Sequence, residues 1–199
     1  MAILDAAERL FAEEGIERVS HRRISAAAGQ GNNAAVGYHF GTTADLVEAV
    51  VERRREAVEQ VRTDLVERIA GSGDVRDWVD CLVRPSIVVL ESLGSPTWFG
   101  RLSAQLAADP RRHARYVEHA LRSEPLRRTV DGFRSCLPDL PEAVLRERSD
   151  MARILSVHVV ADREADLAEG REPARATWTE CGDGLVDALV GLWTAPVRS

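Results

Sequence analysis

The chain has 199 residues, 26 basic and 32 acidic, for a formal net charge of −6. Hydrophobic residues make up 45%, and the longest uncharged apolar runs are about ten residues, short of the ~20 that a membrane-spanning helix needs. Taken as an average, the acidic balance argues against a nucleic-acid binder.

The periodicity is helical almost throughout, and the expected fold class is all-α. Ile3, Leu4, Ala7, Leu10 and Phe11 form one apolar stripe. Gly15 stops that helix, and Ser20 suits the N-cap of a second, about His21 to Ala28. Gly29-Gln30-Gly31 breaks it, and Asn32 or Asn33 can cap a short third helix ending at Phe40-Gly41. Thr42 or Thr43 then caps a long helix from about Ala44 to Ala70. Beyond Gly71-Ser72-Gly73 the pattern predicts helices near Val75–Leu93, Trp98–Ala107, His113–Arg122 and Leu126–Cys136. Pro85 is a kink or boundary in the first of these, and Pro125 and Pro138 end the last two. Pro141 opens a helix running to about Glu169, and a final helix spans about Ala174 to Trp193. No run alternates at period two, so no sheet is expected. The expected division is 1–45 as a small helical unit and 46–199 as a helical body.

Charge is unevenly placed. Between Glu17 and Asp45 there is no acidic residue, while Arg18, Arg22 and Arg23 lie inside that window. Such a face can approach phosphates without like-charge repulsion. Two short helices about a glycine turn make a helix-turn-helix pattern, although an ordinary αα-hairpin has the same outline. The second helix opens with Asn32 and Asn33 and continues through Ala34, Ala35 and Gly37. Small residues let a helix sit deep in the major groove, and Asn can pair bidentately with adenine. Tyr38 and His39 follow with donors able to reach phosphate.

The runs Ile3-Leu4-Asp5-Ala6-Ala7, Leu10 to Gly15, Ile24-Ser25-Ala26-Ala27-Ala28-Gly29 and Tyr38-His39-Phe40-Gly41, with Leu46, resemble the N-terminal domain of the tetracycline-repressor (TetR) family over roughly residues 2–55. The resemblance implies a ligand-responsive DNA-binding regulator, most simply a repressor. It implies a homodimer on a palindromic operator, with a helical body that binds a small ligand and dimerises through its last two helices. On the matching positions, Ser20 would cap the second helix and touch phosphate, with Arg22 and Arg23 beside it. Asn32, Asn33, Ala34 and Ala35 would face base edges, and Tyr38, His39, Thr42 and Thr43 would hold phosphates. Thr43 stands where many members carry a Lys, and this chain has no Lys at all.

In the body, candidate lining residues for a ligand pocket are Trp78, Cys81, Trp98, Phe99, Leu102, Phe133, Met151, Leu155 and His158, which would otherwise be plain core. Met151, Ile154, Val159, Trp178, Leu185, Leu189 and Leu192 would form a four-helix dimer bundle, or else pack within the subunit. The three cysteines lack metal-ligand spacing and are odd in number, which suggests free thiols in a reducing cytoplasm. The N-terminus shows no signal-peptide pattern. No metal, cofactor or catalytic residue is expected, for there is no phosphate loop, nucleophile elbow or His-Glu-x-x-His. An enzyme without a recognisable motif and a helical protein-binding adaptor are the competing readings.

Overall fold

The computed structural model describes residues 2–30 and 35–197, apart from the side chain of Ala35. Among these residues every regular element is a helix. They are α1 (Ala2–Glu14), α2 (His21–Ala27), α3 (Ala35–Phe40), α4 (Thr43–Arg68), α5 (Val75–Ser92), α6 (Phe99–Ala108), α7 (Pro110–Ala120), α8 (Glu124–Ser135), α9 (Glu142–Ala168) and α10 (Trp178–Thr194), with a single 3-10 turn at Ile16–Arg18. No helix among the described residues is long and apolar enough to cross a membrane.

Helix ends follow caps more closely than apolar stripes. Ser20 accepts the Arg23 amide, and Thr42 forms a capping box with Asp45. Three starts differ from the sequence reading. Asp109-Pro110 ends α6 and also begins α7: Asp109 accepts the Arg111 and Arg112 amides while Pro110 fills the first turn, so α7 begins three residues before His113. Pro125 likewise sits in the first turn of α8, capped by Ser123, and does not end the preceding helix. The last helix begins at Trp178, not Ala174, because Thr177 and Glu180 form a capping box.

Two apolar cores organise these helices. The N-terminal core gathers Ala7, Leu10 and Phe11 of α1, Ile24 of α2, Val36 of α3, and Leu46 and Val50 of α4. It also takes in Leu102 and Leu106 of α6. The expected 1–45 unit therefore shares its interior with residues beyond it. Buried Glu8 on α1 ties the unit to α4, receiving Arg54 through Nε at 2.8 Å and Nη2 at 3.0 Å, and Arg53 at 3.1 Å. The C-terminal core joins α4, α5, α8 and α10 around Trp78, Cys81, Ile87, Phe133, Trp178, Leu185, Leu189 and Trp193. Gly132 lets α8 lie directly on the Trp78 indole, since a Cβ there would sit 2.4 Å from the ring.

Pro85 does not end α5. A mid-helix proline has no N–H for the carbonyl four residues back, here that of Cys81. The buried Arg62 of α4 donates to that carbonyl and pairs with Glu59 at 2.9 Å. A tertiary cation thus replaces the missing rung of the helix. Arg62→Leu should destabilise the protein by roughly 3 kcal/mol. In a Pro85→Ala background, where the Cys81 carbonyl recovers an amide partner, the cost should fall by roughly 1 kcal/mol. A double-mutant cycle from urea unfolding measures the coupling; equal cost in both backgrounds would dissolve the link.

Candidate nucleic-acid interface and ligand cavity

The turn between α2 and α3 begins with a helix stop of defined geometry. Gly29 adopts φ +67°, its amide bonds the Ala26 carbonyl at 3.1 Å, and the Gln30 amide bonds Ser25 at 2.9 Å. This double closure needs a left-handed residue at Gly29. The predicted base-facing residues Asn32, Asn33 and Ala34 lie outside the described residues, as does the side chain of Ala35. What is described are the flanks on either side of them.

On those flanks the predicted contacts divide. Arg22 is exposed, as is Arg18, and neither has an ion-pair partner among the described residues. Tyr38 is 86% exposed, and His39 is exposed beside it with ring centroids 5.3 Å apart. Arg23 is already bound to Glu14 of α1, at 2.6 and 3.0 Å, which offsets its charge. Thr42 is committed as well: its hydroxyl donates to Asp45 at 2.6 Å and accepts the Asp45 amide at 3.2 Å, leaving no proton for phosphate. The Thr42 hydroxyl, and after it the Thr42 amide donating at 2.9 Å, hold the Asp45 carboxyl below the usual range. Thr43 lies 3.3 Å from His21 Nε2. The sequence reading did not anticipate this α2–α4 contact, nor the Glu14 partner of Arg23.

In the body a cavity of about 390 Å³ opens between α5, α6, α9 and α10, with α7 at its side. Val79, Val83, Ile87, Phe99, Leu106, Val160, Leu185, Leu189 and Trp193 give it apolar walls, while Ser86, Ser103, His113, Tyr116, Ser149, Arg153 and Ser156 supply polar atoms. Of the nine predicted lining residues only Phe99 reaches it. Trp78, Cys81 and Phe133 belong to the C-terminal core, and burial pushes the Cys81 thiol up to about 11. Leu102 belongs to the N-terminal core. Trp98 and Leu155 are half-buried elsewhere, and Met151 and His158 are exposed. The available signal was small residues on an apolar helix face: Ser149, Ala152, Ser156 and Val160 repeat along one side of α9 and leave room there.

The expected dimer residues divide in the same way. Trp178, Leu185 and Leu189 are buried within the subunit against α5 and do not face outward. Met151 and Ile154 are 46% and 50% exposed on α9, while Val159 and Leu192 are half-buried.

The two regions meet at α6. Its Gln105 accepts the Ile16 amide at 3.2 Å and donates to the Phe11 carbonyl at 2.8 Å, clasping the end of α1. Beside it a groove of about 300 Å³ separates α4 from α7, and Leu106 and Tyr116 line both this groove and the cavity. Arg112 pairs with Glu17, Arg115 with Glu48 at 2.5 Å, and His119 Nε2 lies 3.2 Å from Glu52, so α7 is held to the N-terminal helices.

Comparison with known proteins agrees with this geometry. Residues 3–50 match the family described as bacterial regulatory proteins, tetR family, and residues 80–191 match the tetracyclin repressor-like C-terminal domain. No curated protein matches the chain by sequence. Among solved structures, AmtR of Mycobacterium smegmatis superposes with TM-score 0.58 at 23% identity, over 94% of this chain and 84% of that one. SmeT, the repressor of the Stenotrophomonas maltophilia multidrug efflux pump SmeDEF, gives 0.57 at 20% identity, over 100% and 95%. The TetR family regulator PfmR of Thermus thermophilus gives 0.50 at 17% identity, over 99% and 96%. With family models matching both the helix-turn-helix and most of the helical body, the chain belongs to the TetR family of DNA-binding transcriptional regulators.

Proposed function

We propose that this regulator is a cytoplasmic repressor, bound as a homodimer to a palindromic operator and released when a small ligand enters the cavity between α5, α6, α9 and α10. The observation that carries this reading is the double service of α6. Phe99, Gly100, Ser103 and Leu106 line the cavity, while Leu102, Gln105 and Leu106 engage the N-terminal core or the end of α1. A ligand that moves α6 must therefore disturb the seat of the helix-turn-helix. The two reading heads of a dimer must match the spacing of successive major grooves, so a small rotation of each costs operator affinity. Ligand and operator affinities would then be coupled reciprocally.

The dimer would use the outward side of α9 and α10. Met151, Ile154 and His158 line up along α9 at helical spacing, and Ala188, Gly191 and Leu192 offer a low-relief surface on α10. Ile154→Glu should give a monomer in sedimentation and lower operator affinity by about 100-fold or more, since one head alone makes half the contacts. A variant that stays dimeric would exclude this face.

At the DNA, Arg22 is the proposed phosphate contact and Asn33 the proposed base reader. Arg22→Ala should weaken binding to every sequence and reduce the salt slope by about two, one phosphate for each head. Asn33→Ala should relax specificity at one base step per half-site, with the slope unchanged. Gel shifts against salt and against single-base operator variants separate the two effects. Parent-like behaviour of both variants would sink the assignment.

A further inference from the structure

The polar atoms of the cavity are not equivalent. Ser103, Ser149 and Ser156 turn their hydroxyl protons back onto their own helices, donating to the carbonyls of Phe99, Leu145 and Ala152 at 2.7, 2.7 and 2.8 Å. They can still accept but have no proton left for a ligand. Arg153 is different. Its Nε is buried without a hydrogen-bond partner, and its one ion pair among the described residues is a long contact from Nη2 to Asp150 at 3.5 Å. Asp150 itself is mostly exposed, so it screens that guanidinium weakly. Every other wall of the cavity is apolar or carries a hydroxyl, an imidazole or a phenol, and no carboxylate lines it among the described residues. His113 stands opposite on α7; burial, with Arg153 adding to it, lowers its pKa below the usual histidine value, so the ring is neutral at pH 7 and can donate one N–H.

We propose that the cavity takes an apolar ligand bearing a single anionic head, a carboxylate or its equivalent, whose charge is received by Arg153 between α7 and α9. This rests on the reading that the cavity is the effector site. The apolar part of such a molecule would lie among Val83, Ile87, Phe99 and Trp193. A carboxylate matches the planar guanidinium, satisfies the buried Nε–H and adds a counter-charge; a neutral carbonyl can accept that N–H but brings no charge, and an ammonium does neither. Burying an unpaired guanidinium N–H is costly, and a ligand that removes this cost gains affinity from a defect already present in the free protein.

The test uses the full chain and three probes with one tail: decanoate, decanamide and decylammonium, with affinities from calorimetry. Decanoate should bind about tenfold or more tightly than decanamide, and decylammonium more weakly still. Arg153→Met should erase the preference of decanoate over decanamide, leaving decanamide within about twofold of the parent. Arg153→Lys, which keeps the charge but not the fork, should retain part of the preference. Ser86→Leu, which narrows the cavity from α5, should weaken decanoate and decanamide alike. Equal binding of decanoate and decanamide to the parent, or an equal loss of both in Arg153→Met, overturns the anionic-head proposal while the cavity remains an effector site. If no probe binds, or if Ser86→Leu leaves binding untouched, the effector-site reading falls and this inference falls with it.

Discussion

One helix, α6, has to satisfy two interiors at once. Leu102 fills the core beneath the helix-turn-helix, while Phe99 and Ser103 form cavity wall, Phe99 also packing against that core. Leu106 takes part in both. The N-terminal helices are too short to close a core alone, so the reading head is completed by the body it is attached to. Close packing transmits displacement, and here it leaves α6 few ways to move without moving α1. Gln105 strengthens the constraint, because its amide holds both the last carbonyls of α1 and the first amide of the turn that follows. Glu164 fixes the other end of α6: buried on α9, it accepts the Arg101 amide at 2.8 Å, and burial raises its pKa despite that hydrogen bond.

Arginine provides a second unifying theme. Three buried arginines each satisfy backbone carbonyls at points where helices end or are interrupted. Arg62 donates to the Cys81 carbonyl that Pro85 leaves open. Arg148 of α9 closes the end of α10, donating to Trp193 at 2.7 Å and Ala195 at 2.6 Å. Arg163 binds the carbonyls of Arg175 and Ala176, just before α10 begins, and stacks over Trp178 at 4.8 Å. A forked donor can hold two carbonyls at fixed spacing, which the point charge of a lysine cannot. The absence of lysine from the chain therefore has a structural use at these sites. Nothing in the structure explains it at the surface.

Electrostatics at the DNA-facing end is more economical than the local sequence suggests. Of the three arginines in the acid-free window, Arg23 is bound to Glu14, and Arg18 and Arg22 remain exposed. Arg23 is neutralised by a residue outside the window, nine positions upstream. A regulator with so few free cations depends on well-placed contacts more than on a diffuse field.

Much of the fold was legible in the chain. The apolar stripe of α1, the Ser20 and Thr42 caps and the Gly29 stop depend on neighbours within a few residues, and local chemistry decides them. The family was legible for the same reason, because its signature sits in short contiguous runs. The starts of α7, α8 and α10 depend on caps that the apolar pattern does not report. Which face of a helix meets which neighbour is not a local property. Trp78, Phe133, Trp178 and Leu185 read equally well as pocket, interface or core, and only the packing of α5 against α8 and α10 made them core. Arg153 reads as a solvated helix charge until the fold places it on the cavity wall with its Nε buried. The sequence by itself determined the helical class, the Gly29 stop that ends α2 and the family. The tertiary structure decided where the cavity lies and which charges are free, because burial and pairing belong to contacts between segments far apart in the chain.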